Sequence, residues 1–217
     1  MDPKDINFAA MPQTAVRVVT NPTDFFKTMP KTGGFLEPLV FVVIMGLAAG
    51  IIQAIWGILG FRYGGGMGAS LYPIIFMPIA AAIGSFIGAA IIFVIWKLMG
   101  SQENYETSYR CMAYLMALAP ITAILSAIPY AGVIINMAIF VYFIVIASTQ
   151  VHNIPSQKAW LVFGIIGIVL VLFSLKAEYN VRNLSSQTEQ WKKSSQEMQK
   201  QADEMARQYK RQAEQNK

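Results

Sequence analysis

Five long apolar segments constrain the fold more than any other feature of this sequence. They cover approximately residues 38–59, 71–99, 109–128, 131–151 and 158–175. A bilayer core is about 30 Å thick, and a helix needs about 20 apolar residues to cross it. The segments are continuous rather than alternating, which argues against the strands of an outer-membrane barrel. The sequence therefore predicts an all-α fold, a polytopic membrane bundle of five transmembrane helices.

Charge is concentrated at the two ends of the chain and divides it into three parts. Only 13% of the residues are charged, whereas a soluble domain has about 25%. We predict an N-terminal polar segment (1–33), a five-span domain (34–175) and a charged C-terminal amphipathic helix (176–217). The chain has one cysteine, Cys111, and one histidine, His152, which is too few for a Cys/His metal cluster within one chain. We expect no cofactor, no metal and no enzymatic activity.

The N-terminal segment carries the signals of a short amphipathic helix. Asn21 can cap it, Pro22 suits its first position, and Asp24 suits its first turn. Apolar residues recur on one face, among them Phe25 and Phe26. One interpretation is an interfacial helix lying on the membrane; the alternative is a helix packed on the bundle's own loops. In the first interpretation, Phe25 and Phe26 are interface anchors, as are Tyr109 and Arg110 at the start of the third span.

The C-terminal segment has helical composition and a weak heptad pattern. Residues 176–217 contain nine Lys or Arg and six Asp or Glu, with no Gly or Pro, so helix is strongly favoured. Apolar residues repeat every seven positions at Leu184, Trp191, Met198 and Met205. This pattern resembles a coiled coil that joins copies into a homo-oligomer or packs on a protein partner, and a solvated single helix is the remaining alternative.

Polar residues inside the spans are neutral. Charged residues fall at span ends, so a proton- or ion-coupled transporter is disfavoured. The neutral residues form a candidate intramembrane polar cluster: Gln53, Ser85, Tyr114, Thr122 and Asn136. Interhelical hydrogen bonding is the common role of such groups, and a permeation path is the alternative. An intramembrane hydrolase would require His152 to meet a nucleophile in a cavity, and no serine lies in a GxSxG turn.

Glycine and proline predict how the spans pack and bend. Two GxxxG motifs, formed by Gly46 and Gly50 in the first span and by Gly84 and Gly88 in the second, predict close packing of these two helices. Pro120 predicts a kink in the third span that frees the carbonyl of Met116.

The positively charged residues predict an orientation and a lipid preference. The N-terminal side collects the larger set near span ends: Arg17, Lys27, Lys31, Lys97, Arg110 and Lys158. The other side has Arg62, Lys176, Arg182 and then Lys192 and Lys193. Positive residues favour the cytoplasm, which predicts a cytoplasmic N-terminus and an outside C-terminus. The net charge of +5 fits anionic lipid headgroups, and the chain has no nucleic-acid motif.

An ordered set of short motifs resembles the Yip (Ypt-interacting protein) domain family over roughly residues 10–175. The motifs are Asn21-Pro22 with Phe25-Phe26, Tyr109-Arg110, Ala113-Tyr114, Pro120, Ile128-Pro129, Gly132, His152-Asn153-Ile154 and Lys158-Ala159. The resemblance implies five spans and a cytoplasmic N-terminus. Eukaryotic members associate with Rab-type GTPases, but this chain lacks their long N-terminal region and their Asp-Leu-Tyr-Gly-Pro-type signature. It looks more like the compact prokaryotic members, so Rab binding is not carried over.

The sequence thus predicts a non-enzymatic integral membrane protein, in a prokaryotic cytoplasmic (inner) membrane, that organises membrane lipid or partner proteins. The alternative is a lipid scramblase or a small-solute channel or transporter lined by the neutral polar residues.

Overall fold

The computed structural model describes residues 7–60 and 67–215, and the regular elements of these two ranges are helices. Arg62 lies outside the described residues. The α-helices are Met11–Thr20 (α1), Pro22–Thr28 (α2), Leu36–Ile58 (α3), Met67–Leu98 (α4), Tyr105–Leu115 (α5), Ala119–Leu125 (α6), Ala131–Gln150 (α7) and Ser156–Gln215 (α8). Two 3-10 turns, Phe8–Ala10 and Met116–Leu118, complete the set.

Five helical segments are long and apolar enough to cross a membrane, as the sequence predicts. They are Leu36–Ile58, Leu71–Leu98, Tyr105–Leu125, Ala131–Gln150 and Ser156–Leu184. The third starts four residues earlier than expected because Asn104 caps it: its side chain accepts a hydrogen bond from the Thr107 N–H at 2.9 Å.

The third span is interrupted where Pro120 predicts a kink. Helix α5 ends at Leu115, the 3-10 turn follows, and α6 begins at Ala119 with Pro120 in its first turn. The Met116 carbonyl is not left free, because it accepts a hydrogen bond from the Ala119 N–H across the turn. The tighter winding satisfies the group that a straight α-helix would have exposed at the proline.

Only the first GxxxG motif packs the first two spans together. A Cβ on Gly46 would lie 2.9 Å from the Ala81 Cβ, and one on Gly50 would lie 2.5 Å from the Pro73 carbonyl oxygen. A Cβ on Gly84 would have no described atom within 4 Å, and one on Gly88 would meet only the Met112 methyl at 3.8 Å. The prediction for Gly84 and Gly88 is therefore corrected: their face of α4 is not the one against α3.

The exposed surface of α4 is suited to lipid. Exposed isoleucines follow one another every four residues along it, at Ile75, Ile79, Ile83, Ile87 and Ile91. Residues four apart share a face of an α-helix, so these side chains form one continuous apolar stripe. Such exposure is expected where the solvent is hydrocarbon.

The N-terminal segment forms two helices where the sequence predicts one. Asn21 ends α1 and caps α2, its side chain accepting from the Asp24 N–H at 3.4 Å. Helix α1 packs on α5 and the Met116–Leu118 turn, and α2 packs on α7. The apolar face of the segment thus lies against helices of the bundle and the Met116–Leu118 turn.

The chain divides into two compact units, Met1–Leu175 and Lys176–Lys217. The second unit is helical through Gln215. On its surface the heptad residues Leu184, Trp191, Met198 and Met205 are 69, 77, 62 and 56% exposed.

Candidate functional site

A buried polar layer lies where spans one, three and five begin. Its centre is Arg110, which is 1% exposed. The Arg110 Nε donates to the Pro30 carbonyl at 2.8 Å, and Nη1 donates to the Gly34 carbonyl at 2.9 Å. Nη2 contacts a Glu37 carboxylate oxygen at 3.2 Å and the Tyr114 hydroxyl at 3.4 Å. Four partners therefore surround one guanidinium.

Arg110 acts as a clamp on residues 29–35, here called the strap, which connects α2 to α3. A buried cation is costly unless polar partners replace its water. Its carboxylate partner, Glu37, has a side chain that is 57% exposed, so the ion pair is half solvated. The two strap carbonyls therefore offset a major part of the cost of burying the guanidinium. Their hydrogen bonds to Arg110 also fix the strap on α5.

The strap takes this path because two glycines allow it. Gly33 and Gly34 have φ of +123° and +81°, conformations that residues with a side chain rarely adopt. The Gly34 N–H donates to a Glu106 carboxylate oxygen at 2.7 Å, while the Gly34 carbonyl accepts from Arg110. The Thr-Gly-Gly sequence of residues 32–34 therefore supplies the geometry that the clamp needs.

Lys31 joins the strap to two other connections. Its Nζ lies 2.6 Å from a Glu103 carboxylate oxygen and 3.2 Å from the Val151 carbonyl. Its own carbonyl accepts from the Thr107 hydroxyl at 3.1 Å. The strap, the 99–104 connection and the 151–155 connection are consequently held as one layer.

The aromatic residues expected to anchor the protein at the headgroups are instead in its core. Phe25 and Phe26 are 7 and 1% exposed, and Tyr109 and Arg110 are 0 and 1% exposed. Phe25 meets the Tyr114 ring edge-on at 5.2 Å. The anchor interpretation is corrected for all four side chains, because α1, α2 and the strap cover the start of the third span and shield it from lipid.

Tyr109 fills the space between the strap and α4. Its ring stacks on Phe86 at 4.3 Å and meets Phe35 edge-on at 5.2 Å. Its hydroxyl contacts the Ser85 hydroxyl at 3.5 Å. Aromatic packing of this kind adds about 0.5–1.5 kcal/mol per pair beyond the buried area. The adjacent Tyr109 and Arg110 therefore hold α4 and the strap on two faces of α5.

A second set of side chains, the His152 cluster, lies in the same layer and comprises Trp96, Ser101, Cys111, Ser148 and His152. A hydrogen bond of 2.7 Å joins the Ser101 hydroxyl to His152 Nδ1, and Cys111 Sγ lies 3.9 Å from Nε2. The Trp96 ring stacks on the imidazole at 3.8 Å. The Trp96 indole N–H donates to the Ser148 hydroxyl at 2.7 Å.

His152 thus meets two potential nucleophiles, Ser101 and Cys111, but not in an open cavity. Ser101 is 3% exposed, Cys111 0% and His152 3%, and the tryptophan covers one face of the imidazole. Burial lowers the pKa of His152 to about 4, since desolvation disfavours the charged ring. A neutral imidazole hydrogen-bonded to a serine hydroxyl is well suited to joining the ends of spans two, three and four.

Four of the predicted intramembrane polar residues take part in separate contacts rather than in one line. Ser85 meets Tyr109. Tyr114 meets Arg110. The Asn136 amide N–H donates to the Thr122 carbonyl at 3.1 Å, and the Thr122 hydroxyl bonds to the Ala119 carbonyl at 3.0 Å. Gln53 is half-buried on α3. Ser85 and Asn136 therefore have the common role of such groups, interhelical hydrogen bonding.

Sequence patterns pointed to part of this layer only. Trp96, Ser101, Glu103 and Ser148 were not expected to take part, since they lie near the ends of the second and fourth spans and no motif marks them. A signal was present for the strap contacts: Glu103, Thr107, Arg110 and Tyr114 follow one another at spacings of three or four, which places them on one face of a helix.

A family model described as the Yip1 domain matches residues 16–177. The matched region includes α2, the strap, the first four spans, most of the fifth and both polar sets of the layer. No curated protein and no solved structure matches the chain.

Proposed function

Because the chain belongs to the Yip1 domain family, a family of membrane proteins, we propose that it is a non-enzymatic organiser of membrane lipid and partner proteins. In this proposal the bundle is a scaffold, and the N-terminal helices α1 and α2 are a platform fixed on it. The observation that carries the proposal is the Arg110 clamp. It commits the most deeply buried cation of the described layer to strap carbonyls instead of to a ligand.

Clamping keeps the platform in one position relative to the membrane. The strap is bonded at Pro30, Lys31 and Gly34, and the apolar face of α2 is buried. Pre-organisation of a binding surface lowers the conformational entropy lost on association. A fixed platform is therefore better suited to recruiting lipid or protein than a free amphipathic segment.

Exposed lysines near this layer give the platform its lipid preference. Lys27, Lys97 and Lys158 are exposed, and the described residues give none of them an ion-pair partner. Lys97 lies in the last turn of the second span and Lys158 in the first turn of the fifth, so both lie at headgroup level. Attraction to an anionic surface contributes about 1 kcal/mol per Lys or Arg, which supports a preference for anionic headgroups.

The wider setting extends the sequence-based expectations. We place the protein in a prokaryotic cytoplasmic membrane with the N-terminus inside and the C-terminus outside, in accord with the distribution of Lys and Arg near span ends. The heptad residues of the C-terminal unit serve association with another protein chain.

Lipid retention tests the proposal directly. Wild-type protein is purified in mild detergent from an equal mixture of phosphatidylcholine and phosphatidylglycerol, and the retained lipids are quantified by mass spectrometry. We expect phosphatidylglycerol to be enriched in the wild type and to fall towards the input ratio in Lys27→Gln/Lys97→Gln. The matched control is Lys192→Gln/Lys193→Gln, which removes two lysines from the C-terminal unit. An input ratio in the wild type would refute the lipid preference.

A further inference from the structure

Helix α1 has two apolar flanks, and the described residues cover one of them. Met11 and Val18 lie on the inner flank and are 5 and 0% exposed. Pro12 and Val16 form the outer flank; Pro12 is exposed and Val16 is 61% exposed. Phe8, in the turn that precedes α1, is also 61% exposed. Neighbouring exposed apolar side chains mark a contact surface for lipid or protein.

The charge on α1 is turned away from the outer flank and towards the strap. At about 100° per residue, Pro12 lies about 140° and Val16 about 100° from Arg17 around the helix. The Arg17 guanidinium donates to an Asp24 carboxylate oxygen at 2.9 Å and to the Thr28 hydroxyl at 3.0 Å. Because Thr28 adjoins the strap, the cation lies on the side of the polar layer, and the outer flank faces another way.

The depth of α1 follows from the part of the third span on which it packs. Helix α1 packs on α5 and on the Met116–Leu118 turn, which lies inside the span Tyr105–Leu125. The turn follows Arg110 by six to eight residues, which is about 9–12 Å along the span at about 1.5 Å per residue. Since Arg110 marks the layer where the spans begin, α1 reaches from that layer towards the hydrocarbon. Amphipathic helices at a membrane surface lie about 5–10 Å into the same boundary region.

The hydroxyl groups of α1 suit it to an apolar solvent. Thr14 donates to the Ala10 carbonyl at 3.0 Å, and Thr20 donates to the Val16 carbonyl at 2.8 Å. Both donors are thus satisfied within the helix, as is required where water does not reach. The surface of α1 therefore continues the lipid-facing surface of the spans, which exposed side chains such as Ile83 form on α4.

We propose that the outer flank of α1, together with Phe8, contacts lipid acyl chains in the leaflet on the side of the polar layer, while Arg17 lies at the level of the headgroups. This inference rests on the proposed function, in which α1 and α2 form a fixed platform, and it names the partner of the platform's exposed apolar surface. The inner flank holds α1 on the bundle, and the outer flank holds the platform in the membrane.

Spin labelling of the full-length protein in liposomes tests this placement. Val16→Cys is the test position. Ile83→Cys, at a lipid-facing position of α4 that is 60% exposed, is the matched hydrocarbon control, and Ser194→Cys, at an exposed position of the charged C-terminal unit, is the water control. The native Cys111 is fully buried, so the label attaches to the introduced cysteine. Power saturation then measures collision of each label with oxygen, which concentrates in hydrocarbon, and with nickel ethylenediaminediacetate, which stays in water.

We expect the ratio of oxygen to nickel accessibility of Val16→Cys to be close to that of Ile83→Cys and several-fold above that of Ser194→Cys. A ratio like that of Ser194→Cys would place the outer flank in water and overturn the proposal. Weak collision with both reagents would show that protein covers the flank, and this result would overturn the proposal as well. Pro12→Cys, on the same flank, gives a second reading that must agree.

Lipid retention by the unlabelled wild type separates these outcomes from failure of the proposed function. Enriched phosphatidylglycerol together with a water-exposed label at Val16→Cys rejects the acyl-chain contact alone. An input lipid ratio together with an oxygen-exposed label rejects the anionic lipid preference and supports the acyl-chain contact.

Discussion

Gly50→Ala and Gly84→Ala are chemically identical substitutions in two GxxxG motifs, and we expect them to change stability in opposite directions. A Cβ on Gly50 would lie 2.5 Å from the Pro73 carbonyl oxygen, 3.1 Å from its carbon and 3.2 Å from the Ile74 Cα. All three atoms are backbone of α4 and cannot move aside as a flexible side chain would. A Cβ on Gly84 would have no described atom within 4 Å.

The magnitudes follow from helix propensity and packing. Alanine is favoured over glycine in a helix by about 1 kcal/mol, and Gly84→Ala should stabilise the folded protein by an amount of this order. Gly50→Ala gains the same term but forces α3 and α4 apart, and overpacking typically costs about 1–3 kcal/mol. We therefore expect the free energy of unfolding of Gly50→Ala to be about 1–3 kcal/mol lower than that of Gly84→Ala. This difference is the overpacking cost alone, because both variants gain the same helix propensity.

Thermal unfolding in one detergent measures this difference. Both variants and the wild type are heated, and the monodisperse fraction that remains is followed by size-exclusion chromatography. We expect the midpoints to rank Gly84→Ala, wild type, Gly50→Ala, from highest to lowest. The Cβ of Gly46→Ala would lie 2.9 Å from the Ala81 Cβ. The midpoint of this variant should therefore lie below that of the wild type, as for Gly50→Ala. Equal midpoints for Gly50→Ala and Gly84→Ala would refute the packing of α3 on α4 through the first motif.

Three further predictions concern the polar layer and the orientation. Arg110→Lys should expose the 7–34 segment to limited proteolysis, because an ammonium group cannot reproduce the guanidinium's fork to both strap carbonyls and each charged hydrogen bond is worth about 1.5–3 kcal/mol; an unchanged cleavage pattern would argue against the clamp. The pKa of His152 is lowered to about 4 from about 6.5 when unfolded, so the native protein binds fewer protons and loses stability as pH falls from 6.5 to 4, by about 3 kcal/mol in all. Unfolding midpoints at pH 7.5 and 4.5 should differ less in His152→Gln than in the wild type, and equal differences would contradict this. A reporter active only in the cytoplasm should work at the N-terminus and fail at the C-terminus, and the reverse result would invert the orientation.

Local properties of the sequence determined the elements. Hydropathy over about 20 residues predicted five spans, since each segment must satisfy its backbone within itself when lipid is the solvent. Asn21 and Pro22 predicted where a helix begins, and the structure has α2 start at Pro22. Pro120 predicted the break in the third span, although not the 3-10 turn that accommodates it. These features depend on neighbours along the chain, which the sequence displays directly.

The tertiary structure decided which side chains meet. Tyr109 and Arg110 are residue types that commonly anchor a protein at lipid headgroups, yet the strap and the N-terminal helices bury them. Gly50 and Gly84 lie in equivalent motifs, yet only Gly50 touches a neighbouring helix. His152, Ser101 and Trp96 come from different segments and form one cluster. Each of these outcomes depends on the rotation of one helix against another, which is set by contacts between residues far apart in the chain and has no local signature.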